Sequence, residues 1–321
     1  MKAVIQNEFG DTSVLTYTDV DLPKIDENEV LIKVAYTSVN YADIKKRKGN
    51  KGKGDFPLTL GLDVVGTIEE VSPKSNFAKG DRVIAFPKAG SYAEKVVANE
   101  RLVFKIPDTL TYEKAATMPT VSILSYILFY EIGQVRKSDT IVIHSAAGGV
   151  GSMLVQLAKL LGVQKIIGTV GNLNKENYVK NLGADIVCSY DTFVEEVLKQ
   201  TDNLGANIIF DSVAGDVTNK SLECLALYGT LVQFGNSSGQ PGCFKTSDVH
   251  SSCRNIKGFS LGTTRKHHPE RLAPVAEQVL NLFASKQLTL PIAKVFNLSD
   301  VANAHKLVES RHYEGKVLIK V

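Results

Sequence analysis

A run of small residues and glycines, HSAAGGVGSMLVQLAKLLG at 144–162, follows the apolar segment TIVIH and opens a stretch of helical period. In a strand–turn–helix unit, one glycine allows the tight turn, one lets backbone N–H groups approach a pyrophosphate, and one lets helix and strand pack closely. Gly148 and Gly151 stand at the second and third of these places. Ala146 stands at the first, which is tolerable if the turn there does not need a positive φ. The helix that follows would direct N–H donors and a positive dipole end at the phosphates, so the pattern predicts a dinucleotide site.

The next strand indicates which dinucleotide binds. Sites that select NAD usually place Asp or Glu near the end of this strand, where it accepts the ribose hydroxyls. Here KIIGTVGNLNKENY offers Val170 and Gly171, with no acid before Glu176. Lys175 could attract a 2′-phosphate, although a solvated lysine that opens a helix is an equally good interpretation. The missing carboxylate favours NADPH.

The segments around this turn alternate between strand-like and helical patterns, which predicts a parallel, doubly wound sheet. The predicted strands are TIVIH, KIIGTV, DIVCSY, NIIFDSV and TLVQFG, and the predicted helices are GSMLVQLAKLLG, NKENYVKNLG, TFVEEVLKQ and a stretch around 216–227.

The first third of the chain has a different character, with short β-branched runs between turn residues, which predicts a mostly β, barrel-like domain. These runs are KAVIQ, EVLIKVAYTSV, VVGTIEEV and DRVIAF. A long helical pattern follows at 111–132. After about residue 258 come a helix, a short strand, a second helix from about Ser299 and a final strand, GKVLIKV. We expect this tail to complete the first domain.

Composition excludes several classes of protein. The chain has 321 residues, 44% hydrophobic and 22% charged, with a net charge of +3, which by itself implies neither a nucleic-acid nor a membrane partner. No apolar run approaches about 20 residues, and MKAVIQNEFG is typical of an opening strand, not of a signal peptide. The four cysteines include no C-x-x-C pair. We therefore expect a reduced, cytoplasmic enzyme.

Several motifs together resemble the quinone oxidoreductase, or zeta-crystallin-like, branch of the medium-chain dehydrogenases/reductases. They include the glycine-rich run, GTVGNLNKENYVKNLGAD, IIFDSVAGD, FGNSSG, VNYADIKKRKG, GDRVIAF and ESRHYEGKVLIKV. The resemblance implies an α/β protein with a GroES-like, mostly β catalytic domain over 1–119, completed by 259–321. It also implies a Rossmann domain over 120–258 that binds NADPH, and a homodimer.

Zinc-dependent members of this superfamily hold catalytic zinc with a cysteine, a Gly-His-Glu segment and a second cysteine. Asn40 matches the first cysteine, and Leu62, in GLD, matches the histidine. MPTVSIL supplies no second cysteine, so only Asp63 remains of the set. Zinc needs thiolate, imidazole or carboxylate ligands, and we therefore expect no metal site.

Carried over residue by residue, the resemblance places Lys175, Tyr190 and Arg311 around the 2′-phosphate. Tyr190 could instead pack at a strand end, and Arg311 could be a surface residue. The other predicted cofactor-binding residues are Ala147, Gly148, Gly149, Val150, Gly151, Thr169, Gly171, Ser212, Val213, Phe234, Gly235, Ser237 and Ser238.

The predicted catalytic residues are Asn40, Asp43 and Lys45. Asn40 and Asp43 would lie by the nicotinamide, although Asp43 could equally cap a helix. Without a metal, the oxyanion that develops during hydride transfer needs hydrogen-bond donors, for which Asn40 is the first candidate and Lys45 the second. Lys45 stands where close relatives have a tyrosine, which puts the quinone assignment in doubt.

The function predicted is therefore hydride transfer from NADPH to a quinone or a similar conjugated carbonyl. One alternative is an enone, alkenal or enoyl-thioester reductase, and another is a non-catalytic NADPH-binding protein with a structural or RNA-binding role. The basic segment 45–53 is a solvated loop or a lid that attracts an anionic substrate; nucleic acid is the weaker alternative. His144, at the end of its strand, is predicted to order the glycine turn.

Overall fold

The computed structural model describes residues 1–50 and 54–321. The chain forms two compact units. The first unit comprises Met1–Ile123 and Arg265–Val321, and the second comprises Leu124–Thr264. Lys51 and Lys53 of the predicted basic segment lie outside the described residues.

The first unit is mostly β-structure, as its β-branched runs predict. Its strands are β1 (Lys2–Gln6), β2 (Thr16–Asp19), β3 (Glu29–Ser38), β4 (Leu58–Thr59), β5 (Val64–Val71), β6 (Arg82–Ala85), β7 (Lys95–Asn99), β8 (Val103–Lys105), β15 (Ile292–Asn297) and β16 (Lys316–Lys320). One sheet has the order β2-β1-β4. The other has the order β15-β16-β3-β5-β6-β8, with β7 also paired to β3, so the last two strands join the sheet of the N-terminal region.

Helices flank these sheets. They are α1 (Tyr41–Arg47), α2 (Tyr112–Ala116), α3 (Pro119–Tyr126), α10 (Leu272–Ala284) and α11 (Val301–Ser310); α3 runs on into the second unit. A hydrophobic cluster that includes Ile44 of α1, Val301 and Ala304 of α11, and Val317 and Ile319 of β16 joins the first helix to the C-terminal elements. This packing fixes the start of α1, where two predicted catalytic residues lie.

The second unit contains the predicted doubly wound sheet. Its strands are β9 (Thr140–Ile143), β10 (Lys165–Val170), β11 (Ile186–Ser189), β12 (Ala206–Asp211), β13 (Leu225–Gln233) and β14 (Asn255–Gly258). All neighbours pair in parallel in the order β11-β10-β9-β12-β13-β14. The central strands β9, β10 and β12 are mostly buried because helices cover the sheet, whereas the edge strands β11 and β14 are partly exposed. These helices are α4 (Gly149–Leu161), α5 (Glu176–Leu182), α6 (Phe193–Gln200), α7 (Asp216–Glu223), α8 (Thr246–His250) and α9 (Leu261–His267), the last of which ends in the first unit.

Two predicted helices are wrong in extent. The single helix predicted over 111–132 is broken between Ala116 and Pro119. Proline has no backbone N–H to donate to the preceding turn, so a continuous helix cannot run through this position. The helix around 216–227 ends at Glu223, where β13 begins two residues later with the buried Leu225. Within the described ranges, no helix is both long and apolar enough to cross a membrane.

Candidate cofactor site and candidate catalytic cluster

The predicted cofactor residues of the second unit follow the carboxyl ends of parallel strands, except Thr169, which lies within β10. The glycine turn follows β9, Gly171 and Lys175 follow β10, and Tyr190 follows β11. Ser212 and Val213 follow β12, and the run from Phe234 to Ser238 follows β13. Since the carboxyl ends of parallel strands share one edge of a sheet, this topology gathers residues from distant parts of the sequence at the edge where such folds bind ligands.

The glycine turn explains why alanine is accepted at position 146. The left-handed residue of the turn is Ser145, with a φ of 55°, and Ala146 has no positive φ. A Cβ added at Gly168 of β10 would lie 2.8 Å from the Ala146 methyl. The absence of a side chain at Gly168 therefore makes room for the methyl group of Ala146. At Gly151 an added Cβ would lie 2.3 Å from the Ser145 carbonyl oxygen. Gly151 is thus the glycine that lets α4 pack on the turn, as predicted.

His144 and Thr169 brace this turn from its buried side. Ser221 Oγ donates to the Val217 carbonyl at 2.6 Å, so it accepts from Nε2–H of His144 at 2.8 Å. Nδ1 of His144 then accepts from the Thr169 hydroxyl at 2.8 Å. Burial lowers the pKa of His144 to about 4, which keeps the ring neutral. The Thr169 side chain is fully buried and already bonded, so Thr169 shapes the turn from behind instead of facing a ligand.

Tyr190 joins the end of β11 to the glycine turn. Its hydroxyl oxygen accepts from the Ser145 backbone N–H at 2.8 Å and lies 3.1 Å from Ser145 Oγ. Its ring is also tilted against His144, with 5.7 Å between the ring centroids. The phenolic proton of Tyr190 can therefore be donated to an anion near the turn. Lys175 ends a 3-10 turn directly before α5, half-buried, and Gly171 is exposed with nothing within 4 Å of the position a Cβ would take.

The loops after β12 and β13 are bonded to each other. Backbone N–H groups of Ser237 and Ser238 donate to the carbonyls of Ser212 and Val213, each at 3.0 Å. A Cβ at Gly235 would lie 2.8 Å from the Ser212 carbonyl oxygen, which is why glycine stands there. These contacts hold two segments of predicted cofactor-binding residues against each other.

In the first unit, Asn40 lies in a buried polar cluster at the start of α1. Its Oδ1 accepts from Lys316 Nζ at 2.9 Å. Its Nδ2 lies 3.3 Å from Ser38 Oγ and 3.2 Å from Asp63 Oδ2. Asp63 also accepts from the Ser38 hydroxyl at 2.8 Å and from the Thr120 backbone N–H at 3.2 Å. We call these residues, Ser38, Asn40, Asp63 and Lys316, the amide cluster.

Asp43 supports this cluster from within the protein. Its Oδ2 accepts from the Asn40 backbone N–H at 2.8 Å, which makes Asn40 the residue that precedes the helix and Asp43 the third residue inside it. The expectation that Asp43 is itself the capping residue is therefore wrong by three positions. The carboxyl group is fully buried, and burial raises its pKa to about 7. Within residues 1–50 and 54–321, no atom makes a hydrogen bond of normal geometry to its Oδ1.

A chain of buried hydrogen bonds runs from α11 toward Asp43. Arg47 donates to both oxygens of Glu309 at 2.9 Å and to His305 Nδ1 at 3.1 Å. Because a guanidinium only donates, His305 carries its proton on Nε2 and donates to Tyr92 Oη at 3.0 Å. The hydroxyl proton of Tyr92 then points away from His305. Burial and the negative charges of Asp43 and Asp63 raise the pKa of Tyr92 well above its usual value.

The remaining predicted residues of the first unit lie on its helices. Lys45 is half-buried in the last turn of α1, the helix that Asn40 begins. Arg311 follows α11 with a φ of 59°, and its guanidinium lies 5.8 Å from the centroid of the Tyr41 ring. Arg47, read in the sequence as part of a basic surface segment, is fully buried and belongs to the hydrogen-bonded chain. That interpretation is wrong for Arg47, because Glu309 and His305 provide its partners.

The residues at the zinc-ligand positions do not fit a zinc ion. Asn40 offers an amide oxygen that is bound to the Lys316 ammonium, and Leu62 offers no ligand atom. The Asp63 carboxylate already accepts from three donors. Among the residues that the structure describes, no group of three or more His, Cys, Asp or Glu side chains could hold a metal ion.

Sequence reasoning missed most of the amide cluster and the chain behind it. Lys316 stands in a run that predicts only a strand, and Tyr92 and His305 stand in segments without a motif. Their polar contacts connect residues more than 200 positions apart, so no local pattern reveals them.

Comparisons with known proteins agree with this architecture. Residues 26–108 match the family described as alcohol dehydrogenase GroES-like domain, and residues 149–280 match the family described as zinc-binding dehydrogenase. The chain is 32% identical to a quinone oxidoreductase of Pseudomonas aeruginosa, with 97% of each chain covered. It is 30% identical to a probable quinone oxidoreductase of Schizosaccharomyces pombe, with 98% of this chain and 95% of that protein covered.

The same relationship holds for solved structures. The Escherichia coli quinone oxidoreductase, solved in complex with NADPH, superposes with a TM-score of 0.94 at 26% identity and full coverage of both chains. The predicted α/β fold, with a GroES-like domain and a Rossmann sheet, is confirmed. Sequence identity over nearly the whole length of these relatives confirms the resemblance, and the chain belongs to the quinone oxidoreductase branch of the medium-chain dehydrogenases/reductases.

Proposed function

We propose that this protein is an NADPH:quinone oxidoreductase that needs no metal ion. The observation that carries the proposal is the carboxyl edge of the parallel sheet in the second unit. There a glycine turn with helix α4 behind it stands beside a strand, β10, that ends in Val170 and Gly171 without a carboxylate. The quinone oxidoreductases among its relatives, one of them solved with NADPH, support the same assignment.

The second unit would bind the cofactor, which supplies a hydride when bound. Backbone N–H groups at the start of α4 would hold the pyrophosphate, helped by the positive end of the helix. The five residues from Ala147 to Gly151, which include Val150, are assigned to binding the pyrophosphate. Tyr190 supports recognition of the 2′-phosphate, because its oxygen accepts from the Ser145 backbone N–H and its hydroxyl can donate either to Ser145 Oγ or to a bound anion. Lys175 would add a positive charge.

The first unit would assist the substrate. A quinone that accepts a hydride at one end of its conjugated system and a proton on its oxygen becomes a hydroquinone. Negative charge grows on the carbonyl oxygen as the hydride arrives, and a fixed N–H donor stabilises that charge. Asn40 is the assigned donor, with Lys45 as a second. Conjugation already spreads the charge, so this substrate class needs less help than a simple ketone.

The test is a substrate panel that follows NADPH absorbance with a quinone, an enone and crotonyl-CoA, each in the presence and absence of a strong chelator. We expect rapid oxidation of NADPH with the quinone, unchanged by the chelator. Turnover only with the enone or the thioester would replace the substrate assignment. Tight NADPH binding without turnover of any compound would point to a binding protein. Loss of activity in the chelator, with one zinc per chain by elemental analysis, would overturn the metal-free assignment.

We also propose that the protein is a cytoplasmic homodimer. Support for a dimer comes from the sheet edge at β14, which has a free side, and from the neighbouring Leu227 and Tyr228 on β13, which are 66% and 75% exposed. Unprotected strand edges tend to pair with another chain. All four cysteines are free thiols, which supports a reducing compartment. Light scattering should give a molar mass twice that of the chain. Leu227→Lys should lower this molar mass, whereas the control variant Leu160→Lys, on α4, should not. A monomeric wild type would refute the dimer.

A further inference from the structure

Lys316 is a buried ammonium group that forms no direct ion pair with any residue of the described ranges. The residue is 4% exposed at the start of β16, and its Nζ donates to the Val39 carbonyl at 3.3 Å and to Asn40 Oδ1 at 2.9 Å. Burial lowers the pKa of Lys316, while the nearby carboxylates of Asp63 and Asp43 act in the opposite direction. Removing such a charge from water is costly, and a hydrophobic residue would hold β16 at lower cost. The lysine therefore calls for a reason beyond packing.

The charges around Asn40 determine which way its amide points. Lys316 lies on the oxygen side of the amide, and the Asp63 carboxylate lies on the nitrogen side. The reversed amide would place its NH₂ group against an ammonium and its carbonyl oxygen against a carboxylate. Both contacts would be repulsive. One orientation is therefore fixed by the field between Lys316 and Asp63, and a dipole held in such a field is polarised toward a stronger N–H donor.

The two acceptors on the nitrogen side of the amide, Ser38 Oγ and the Asp63 carboxylate, are close neighbours. Ser38 Oγ and the Asp63 carboxylate are themselves joined at 2.8 Å, so they lie on the same side of the amide nitrogen. Both distances from Nδ2, 3.3 and 3.2 Å, are long for hydrogen bonds, as expected when one N–H is shared by two acceptors. If one N–H serves both oxygens, the second N–H of the amide can be donated to another acceptor.

We propose that Lys316 and Asp63 are a positioning pair that holds the amide of Asn40 with one polarised N–H ready for the oxygen of the substrate carbonyl. Lys316 acts through Asn40 and does not touch the substrate. The inference rests on the proposed function, since it assigns a task to the donor of that reaction. It adds two residues that the comparisons do not assign.

A double-mutant cycle tests whether Lys316 acts through Asn40. Lys316→Met keeps the length of the side chain and removes its charge, and Lys320→Met, exposed on the same strand, is the matched control. We expect Lys316→Met and Asn40→Ala each to lower kcat about tenfold or more with an unchanged Kd for NADPH. The double variant should be no slower than Asn40→Ala alone, and Lys320→Met should behave as wild type. Losses that multiply would overturn the proposal, because residues that act independently are additive.

A second measurement is independent of activity. In ¹H–¹⁵N spectra, the side-chain amide signals of Asn40, assigned by their loss in Asn40→Ala, should move in Lys316→Met and in Asp63→Asn but not in Lys320→Met. Unmoved signals would overturn the positioning role. If wild type reduces no quinone, the proposed function fails while this measurement still decides whether the pair orients the amide. If Lys316→Met does not fold, Asp63→Asn takes its place in both experiments, and Lys316→Arg tests whether a positive charge at this position retains kcat and the amide signals.

Discussion

At the scale of single residues, the first unit compensates each of its buried charges in a different way. Arg47 has a bidentate carboxylate partner in Glu309, and Asp63 accepts from three donors. Asp43 accepts from the Asn40 backbone N–H through one oxygen, while no described residue places a hydrogen bond of normal geometry on the other. A carboxyl group in that position is more stable in its protonated form, since an ionised oxygen without a hydrogen bond is costly in the interior.

Stability should therefore depend on pH through Asp43. Burial raises its pKa from 3.8 to about 7, so the folded state binds a proton that the unfolded state releases between these values. Folding stability from this group is complete below about pH 4 and is lost as pH rises through 7. Asp43→Asn removes this titratable group, so only wild type should lose stability as the pH rises. The free energy of unfolding of the variant minus that of wild type should therefore increase by about 1.4 kcal/mol or more between pH 5 and pH 8.

Urea unfolding at both pH values measures this difference. The neutral buried histidines, His144 and His305, have lowered pKa values of about 4 and about 3, so they act in the opposite direction below pH 6.5 in both proteins. Their contribution cancels in the comparison of wild type with the variant. A difference that does not change with pH would mean that Asp43 is ionised throughout.

At the scale of elements, the sequence predicts what local pattern controls and misses what distant packing controls. The strand–turn–helix at 140–161 was predictable because apolar runs of two different periods meet at the glycines. The left-handed residue at Ser145 was not, because it depends on Ala146 packing against Gly168 of the next strand. The short strand β14 and the amide cluster were likewise not predicted. β14 has a single apolar residue of strand type, Ile256, and the amide cluster depends on contacts across most of the chain.

A methyl group should be tolerated at Gly171, after β10, but not at Gly151, in the glycine turn after β9. In Gly151→Ala the new methyl would lie 2.3 Å from the Ser145 carbonyl oxygen and 2.7 Å from Ala146 Cα, both of which are backbone atoms that cannot move aside. In Gly171→Ala nothing lies within 4 Å of the methyl. We expect Gly151→Ala to lower the affinity for NADPH about tenfold or more and to lower Tm, because α4 must shift away from the turn. Gly171→Ala should match wild type in both.

Isothermal titration with NADPH and thermal unfolding of the three proteins give the answer. Equal affinities in Gly151→Ala and wild type would show that the turn adjusts without cost, which would contradict the requirement for close packing at this position.

At the scale of the whole molecule, the two units divide the proposed reaction. The second unit carries the predicted cofactor residues along one edge of a parallel sheet, and that sheet is the one predicted from the alternation of strands and helices. The first unit carries the amide cluster, which includes residues from β3 to β16 and thus from both ends of the chain. A tail that returns to the first sheet is what brings Lys316 to Asn40. The sequence predicted the return of the tail and could not predict its chemical consequence.

The preference for NADPH over NADH should be reversible by a substitution at one position, Gly171. We expect NADPH to bind at least tenfold more tightly than NADH, a difference of about 1.4 kcal/mol, within what one or two charge-assisted contacts to a phosphate supply. Gly171→Asp would place at the end of β10 the carboxylate that the chain lacks, at an exposed position where a Cβ meets nothing within 4 Å. The new charge should repel the 2′-phosphate and accept the ribose hydroxyls of NADH. Gly171→Asn adds the same bulk without the charge and is the matched control.

Fluorescence titration with both cofactors, and with 2′,5′-ADP and 5′-AMP as fragments, measures the preference and isolates the 2′-phosphate. We expect wild type and Gly171→Asn to prefer the compounds that carry the 2′-phosphate, and Gly171→Asp to lose or reverse that preference. Equal affinity of wild type for NADPH and NADH would remove the case for Lys175 and Tyr190 as phosphate-binding residues. An unchanged preference in Gly171→Asp would mean that the end of β10 does not face the ribose, since a carboxylate beside a bound phosphate must weaken binding through like-charge repulsion.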